Sequence, residues 1–204
     1  MEIRVLGKEI RVLGVRSAAV SLAAIAVIMV TSCGGIKPTV FLHPEFNFGF
    51  VERIAVIPLE NLTKEQGVAS RATRFLITEL LASEAFDVVE PGEVSSVMAG
   101  IPQVRGAGGL TKQQIIDIGT KLKVQGLVFG SVNGASAMRS GTSQDHYITL
   151  VLRMVETETG ETVWSSSHTE GGRGFFASLF GGSHKPQSEV IRNCTRRALS
   201  TLIQ

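Results

Sequence analysis

The stretch Gly126-Leu127-Val128-Phe129-Gly130-Ser131-Val132 is the most apolar strand-like run of the sequence. Its aliphatic and aromatic residues follow one another without alternating with charged ones. Such a run is typical of a strand that is buried on both faces of a sheet. We therefore predict that this stretch forms the central strand of the fold.

A pair of strands follows the central strand. Along the first of them, aliphatic residues and Met alternate with a second set of residues. The first set is Ile148, Leu150, Leu152 and Met154, and the second is Tyr147, Thr149, Val151 and Arg153. Residues 156–161 are expected to turn the chain, with Gly160 supplying a positive φ, and residues 162–166 return as the second strand. The pattern predicts a β-hairpin. The small, polar stretch 133–144 before it is expected to be a loop.

Helical patterns occur on both sides of these strands. Apolar residues recur at three- and four-residue spacing in 66–83 and in 188–203. Thr111 followed by Gln114 matches a capping box, which predicts the start of another helix. In the last helix Cys194 lies on the apolar stripe, and we expect a buried filler rather than a reactive thiol.

Two shorter strands are expected earlier in the chain, at 53–59 and 86–89, and Pro91 can open a further helix after the second. The order of elements predicts one α/β domain, residues 51–204, with a mixed sheet of about five strands flanked by helices.

The N-terminal residues have the layout of an export signal. Basic residues come first, and an apolar run from Ala18 to Val30 follows. The next residues, Val30-Thr31-Ser32-Cys33, resemble the lipobox of bacterial lipoproteins. The resemblance implies that residues 1–32 are a signal peptide and that Cys33 carries a thioether-linked diacylglycerol. The alternative is a plain signal peptide, or an N-terminal anchor helix, with a chance cysteine.

The resemblance to lipoproteins also implies a location. An Asp after the lipidated cysteine retains enterobacterial lipoproteins in the inner membrane, and this sequence has Gly34 there. We therefore expect the protein at the outer membrane, on its periplasmic face. The covalent lipid on Cys33 is the only non-protein group that we expect.

Residues 33–50 are expected to be a tether between the lipid and the domain. This segment is rich in aromatic residues, unlike a flexible spacer, which is usually rich in Gly and Ser. Two interpretations remain open. The segment either lies as a strap on its own core or docks on a neighbouring subunit.

The charge of the chain argues against a nucleic-acid partner, and its cysteine content argues against a disulfide. The chain has 20 Lys and Arg and 18 Asp and Glu, and residues 1–32 hold four of the first and two of the second, which leaves 16 of each. A nucleic-acid partner would require a concentrated basic face, so we expect none. With Cys33 as the lipid site, Cys194 has no partner for a disulfide.

The sequence contains no motif on which to base a catalytic or metal site. Its four histidines, His43, His146, His168 and His184, show no metal-ligand spacing. Neither a nucleophile elbow nor a phosphate-binding loop occurs. We therefore expect no catalytic residue, no metal and no small-molecule substrate.

Four features together resemble the periplasmic domain of the curli-secretion (CsgG-like) lipoprotein family. They are Cys33 in its lipobox, residues 86–94, residues 124–132, and the hairpin with its Thr159-Gly160-Glu161 turn. The resemblance implies an oligomeric lipoprotein of the outer membrane. Residues 133–144 and 171–184 are too short for the membrane-spanning hairpins of that family, so no pore is expected.

The stretch 171–182 is a candidate interaction loop. It has glycines at both ends and four large apolar residues, Phe175, Phe176, Leu179 and Phe180. Exposed apolar clusters mark interaction surfaces or membrane contacts. Three roles remain open for these side chains: folding back onto the domain, contacting another protein, or entering the lipid interface.

These observations lead to a functional expectation. The protein would be a non-enzymatic scaffold or accessory in secretion or envelope assembly, forming a homo-oligomer or binding other envelope lipoproteins. The alternative is a lipoprotein regulator that activates a peptidoglycan synthase (a penicillin-binding protein), because such activators resemble this domain too. A periplasmic enzyme is a third and weaker option.

Overall fold

Seven strands form one mixed sheet in the computed structural model, which describes residues 37–101, 110–140, 143–171 and 185–203. The strands are β1 (Thr39–Leu42), β2 (Arg53–Val56), β3 (Glu60–Asn61), β4 (Asp87–Val88), β5 (Gly126–Ser140), β6 (Ser143–Glu156) and β7 (Thr162–Gly171). The helices are α1 (Val68–Ser83), α2 (Pro91–Ala99), α3 (Lys112–Leu122) and α4 (Gln187–Leu199), and a short 3-10 helix spans Phe48–Phe50.

The strand order is β1-β7-β6-β5-β2-β4, and β3 also pairs with β5. The strands β2 and β4 pair in parallel, and β2 and β3 both pair in parallel with β5. The strands β5, β6, β7 and β1 pair antiparallel to one another. The predicted α/β fold with a mixed sheet and flanking helices is confirmed, with seven strands rather than about five. The stretch 126–132 lies in its middle, as predicted.

One face of the sheet is covered by α1 and α4. The side chains of Ile148, Leu150, Leu152 and Met154 on β6 are all buried there, together with Trp164 on β7. The Nε1 of Trp164 donates a hydrogen bond to Thr201 Oγ1 at 3.1 Å, so the indole is buried without losing its polar partner. We call this side of the sheet the closed face.

The opposite face is covered over β2 and β5 by α2 and α3. Leu127 and Phe129 of β5 are buried there against Ile115 and Ile118 of α3. The start of α3 is the predicted capping box, because Thr111 accepts from the Gln114 amide and Gln114 accepts from the Thr111 amide. Pro91 occupies the first turn of α2, as predicted.

Residues 133–144 contain strand where a loop was expected. The strand β5 continues to Ser140, and β6 begins at Ser143. The expectation was wrong because small polar residues have little strand preference of their own, whereas pairing with β6 supplies a hydrogen-bond ladder. One irregularity in the register, between Val132 and Gly134, interrupts that ladder.

The described part of segment 33–50 packs on the domain. The strand β1 pairs antiparallel with β7 at the edge of the sheet. The Phe46 and Phe48 rings, 4.9 Å apart in an edge-to-face arrangement, are half-buried against the core of the closed face. This arrangement agrees with the strap interpretation rather than with a free tether.

Candidate functional site

No helix of the described residues covers the face of β6, β7 and β1 that lies opposite the closed face. The side chains there are exposed or half-buried although β6 and β7 are interior strands. They are Tyr147, Thr149, Val151 and Arg153 on β6, Ser165, Ser167 and Thr169 on β7, and Phe41 on β1. We call this surface the open face.

Arg153 is the only basic side chain of the open face as defined here. Its guanidinium carbon lies 4.6 Å from the centre of the Phe129 ring, a cation–π arrangement at the border with the part covered by α3. Burial of the guanidinium lowers the pKa of Arg153, which nevertheless remains charged at neutral pH. The stacking holds this charge at a fixed place on the sheet.

Aromatic and hydroxyl side chains share the open face with Arg153. Phe41 is 48% exposed and Tyr147 is 37% exposed. The Thr149 and Thr169 hydroxyls hydrogen-bond to each other across the strands at 2.9 Å. Tyrosine, phenylalanine and arginine are enriched where proteins bind one another, and tyrosine and arginine supply many of the hot spots. Phe41, Tyr147 and Arg153 are therefore the side chains of the open face whose types most often anchor protein contacts.

A second group of polar side chains lies between β7 and α4, with His168 and Cys194 buried and Arg197 about half exposed. The Nε2 of His168 lies 3.2 Å from Glu170 Oε2, and Arg197 Nε lies 3.5 Å from the same oxygen. The thiol of Cys194 donates to the carbonyl oxygen of His168 at 3.5 Å. Because His168 and Cys194 are covered by α4 and the sheet, this cluster connects two elements and presents neither group to a substrate.

Cys194 is a buried, unpaired thiol, as its position on the apolar stripe predicted. Burial raises its pKa to about 12. A thiol is nucleophilic as the thiolate, so this cysteine is unreactive at physiological pH.

The site residues singled out in the sequence lie outside the described residues. This applies to the lipid site Cys33, to the rest of the lipobox (Val30, Thr31 and Ser32), and to the loop residues Phe175, Phe176, Leu179 and Phe180. These assignments stay predictions.

Sequence reasoning did not single out the open face. Arg153 and Tyr147 were recognised as members of the alternating hairpin pattern, without a role. A charged residue within the otherwise uncharged stretch 147–155, on the side opposite the aliphatic set, was the available signal.

The described residues show neither a metal cluster nor a membrane-spanning helix. Among those residues no three or more His, Cys, Asp or Glu side chains come together to hold a metal ion. None of the helices in the same ranges is long and apolar enough to span a membrane.

Several solved bacterial proteins have the same fold. The PelC dodecamer from Paraburkholderia phytofirmans is 14% identical, with a TM-score of 0.55, over 81% of this chain and 97% of that chain. The lipoprotein GNA1162 from Neisseria meningitidis is 11% identical, with a TM-score of 0.53, over 74% of this chain and 99% of that one. At these identities the likeness concerns the fold. Comparison with curated proteins found no match.

The C-terminal domain of LpoB from Salmonella enterica is also similar. It is 19% identical, with a TM-score of 0.44, over 70% of this chain and 90% of that chain.

A family model identifies the chain more directly. The model described as peptidoglycan-synthase activator LpoB matches residues 47–169, more than half of the chain. The resemblance to the CsgG-like secretion family was therefore wrong, and the secretion role that it implied has no support. The strand patterns on which it rested, such as residues 124–132, are those of any buried strand. The chain belongs to the peptidoglycan-synthase activator LpoB family.

Proposed function

We propose that the protein is a non-enzymatic lipoprotein that activates a peptidoglycan synthase from the periplasmic face of the outer membrane. Membership of the LpoB family supports the activator role. The lipobox ending at Cys33 supports the lipid anchor, and Gly34 after it supports outer-membrane sorting. No cofactor besides the covalent lipid enters this proposal.

The open face is the surface that we assign to the synthase. The observation that carries this assignment is the part of the sheet that no helix of the described residues covers, with Arg153 at its border and Tyr147 and Phe41 exposed on it. The strand β6, which carries Arg153 and Tyr147, is held by ladders on both sides, so its backbone is already ordered before a partner binds. The helices α1 and α4 use their apolar sides on the closed face.

The test is stimulation of glycan polymerisation and crosslinking by a purified peptidoglycan synthase, titrated with this protein. Arg153→Ala and Tyr147→Ala are expected to weaken half-maximal stimulation about tenfold or more, the loss of roughly 1.4 kcal/mol expected at a hot spot. Arg192→Ala is the matched control, because Arg192 is exposed on α4, away from the open face.

Folding is checked by thermal unfolding of each variant. The proposal predicts that Arg153→Ala and Tyr147→Ala remain folded and lose stimulation, while Arg192→Ala keeps both. Unchanged stimulation in both open-face variants would overturn the assignment of the surface. Failure of the unaltered protein to stimulate or bind any peptidoglycan synthase of its own organism would overturn the function.

Homo-oligomerisation remains a separate part of the proposal. The outer edge of β1 has no strand partner among the described residues, and Phe41 and Leu42 are about half exposed there. An exposed strand edge with apolar side chains is a surface for self-association. The mass of the lipidated protein in mild detergent tests this: a multiple of the chain mass supports the oligomer, and a monomer at all concentrations contradicts it.

A further inference from the structure

The strand β5 carries a bulge where it pairs with β6. Val132 lies opposite Leu150, and the next pair is Gly134 with Thr149. Asn133 is therefore an extra residue on β5. Without the bulge Asn133 would lie opposite Thr149, with its side chain on the open face, because side chains alternate between the two faces of a strand. The bulge gives this place on the open face to a glycine instead.

The space beside Gly134 is filled by the ring of Tyr147. A Cβ atom built on Gly134 would lie 3.3 Å from Cε2 of Tyr147 and 3.2 Å from Oγ1 of Thr149. Most real Cβ contacts are longer, so a side chain at position 134 would displace the ring or the hydroxyl. The ring of Tyr147 therefore lies against the backbone of β5 at Gly134.

Backbone conformation does not explain the glycine at position 134. The glycines with positive φ in the described residues are Gly67 and Gly160, and Gly134 is not among them. Glycine within a strand weakens the strand, and it often marks a place where another group comes close to the backbone. At Gly134 the group that comes close is the ring of Tyr147.

The contact orders a side chain that the proposed function assigns to the synthase. Tyr147 is 37% exposed, and Gly134 is half-buried next to it. The neighbouring Thr149 is held by its hydrogen bond to Thr169 at 2.9 Å. A side chain that is already held in place loses less conformational entropy when a partner binds than a mobile one does.

We infer that Gly134 and the bulge at Asn133 are positioning elements for Tyr147, which they hold on the open face in the orientation that the synthase contacts. The inference rests on the synthase contact in the proposed function. It adds a residue that acts through Tyr147 and need not touch the partner. The contact then depends on the size of the residue at position 134.

A double-mutant cycle on stimulation of the synthase by the full chain tests this inference. Gly134→Val adds three carbon atoms beside the ring, and we expect half-maximal stimulation to weaken about three- to tenfold. In a Tyr147→Ala background the same change should have less than about a 1.5-fold effect, because no ring remains to be displaced. An equal factor in both backgrounds would overturn the inference, since the substitution would then act through Thr149 or through the fold.

Arg153→Ala provides the matched background for this cycle. Arg153 is four residues from Thr149 along β6, about 13 Å away, and substitutions at that distance usually act independently. Gly134→Val is therefore expected to have the same factor in the Arg153→Ala protein as in the unaltered one. Loss of the factor in this background as well would contradict an action through Tyr147.

A second variant guards against a change in folding. Valine is favoured in strands, so we expect Gly134→Val to keep the urea midpoint of the unaltered protein. Gly134→Ala adds one carbon atom and is expected to weaken stimulation in the same direction but by a smaller factor. Full stimulation by both variants, each folded, would overturn the inference.

Nuclear magnetic resonance reports the placement of the ring without the synthase. Tyr147 is the only tyrosine of the chain, so ring-labelled tyrosine gives the signals of one residue. We expect a nuclear Overhauser effect between its ring ε protons and the α protons of Gly134, and altered ring chemical shifts in Gly134→Val. Absence of the effect, or unchanged shifts, would overturn the placement.

The two readouts separate this inference from the proposed function. A ring held beside Gly134 in a protein that stimulates no synthase overturns the proposed function, and with it the role of Gly134 in binding. A protein that stimulates the synthase without coupling between positions 134 and 147 overturns this inference and leaves the proposed function standing.

Discussion

The two faces of β6 differ although they belong to one strand. On the closed face, Leu150, Leu152 and Met154 are fully buried under α1 and α4. On the open face, Val151 and Arg153 are only half-buried, and no helix of the described residues lies over them. The difference teaches that one set of side chains holds the domain together, while the other set contributes less to its core.

The largest expected effect is a core truncation on the closed face. Leu152→Ala removes a fully buried side chain and leaves a cavity, so we expect a loss of about 2–5 kcal/mol in the free energy of unfolding. Val151→Ala, one residue away on the open face, is the matched control and should cost less than about 1 kcal/mol. Urea unfolding measures both. Equal losses would mean that the open face is part of the folding core.

A second prediction concerns the close approach of β5 to β6. A Cβ at Gly130 would lie 2.0 Å from the Val151 carbonyl oxygen, so Gly130→Ala forces the strands apart and should cost about 1–3 kcal/mol. Gly171→Ala, where a Cβ meets open space, is the control and should be nearly neutral. A neutral Gly130→Ala in the same urea titration would show that the two strands can separate without cost.

The third prediction is that the buried thiol of Cys194 makes the free energy of unfolding depend on pH above pH 9. Burial raises the pKa of Cys194 from 9.0 to about 12, so above pH 9 the unfolded chain loses this proton while the folded chain keeps it. Cys194 therefore lowers stability as pH rises from 9 towards 12, by up to about 1.4 kcal/mol per pH unit. Cys194→Ala should show a shallower decline in unfolding free energy between pH 9 and pH 10.5. Identical slopes in the two proteins would mean that the thiol is accessible.

The smallest effect is expected from the ion pair on the outer sides of the helices that cover the closed face. Arg196 of α4 binds Glu79 of α1 through two hydrogen bonds of 3.1 and 3.0 Å, which raise the pKa of Arg196. Its side chain is 56% exposed, so Arg196→Ala should cost less than about 1 kcal/mol. The cost should decrease further in 1 M salt. A salt-independent loss above 2 kcal/mol would contradict the conclusion that apolar packing holds α4 in place.

Much of the fold follows from local patterns in the sequence. The alternation from Tyr147 to Met154, the capping box at Thr111 and the positive φ of Gly160, which is 68° in the structure, were all predictable from neighbours along the chain. They depend on side-chain periodicity or on hydrogen bonds within one turn, which a sequence displays directly.

The rest depends on contacts between distant segments. The strand nature of residues 133–140 comes from pairing with β6, and β1 is a strand because it pairs with β7. The open face exists because α2 and α3 cover β2 and β5 but not most of β6 and β7. The position of a helix on a sheet depends on tertiary packing, which no local sequence pattern predicts. The lipobox ending at Cys33 could be recognised from the sequence alone. The lipidation of Cys33 remains a prediction.

Site-specific photo-crosslinking to the peptidoglycan synthase is the most direct test of the open face as its contact surface. A photoreactive amino acid replaces Ser167 on the open face in one protein and Arg192 on α4 in another. We predict a crosslink to the synthase from position 167 and none from position 192. A crosslink from position 192 with none from 167 would contradict the assignment and move the contact to the helical side of the domain.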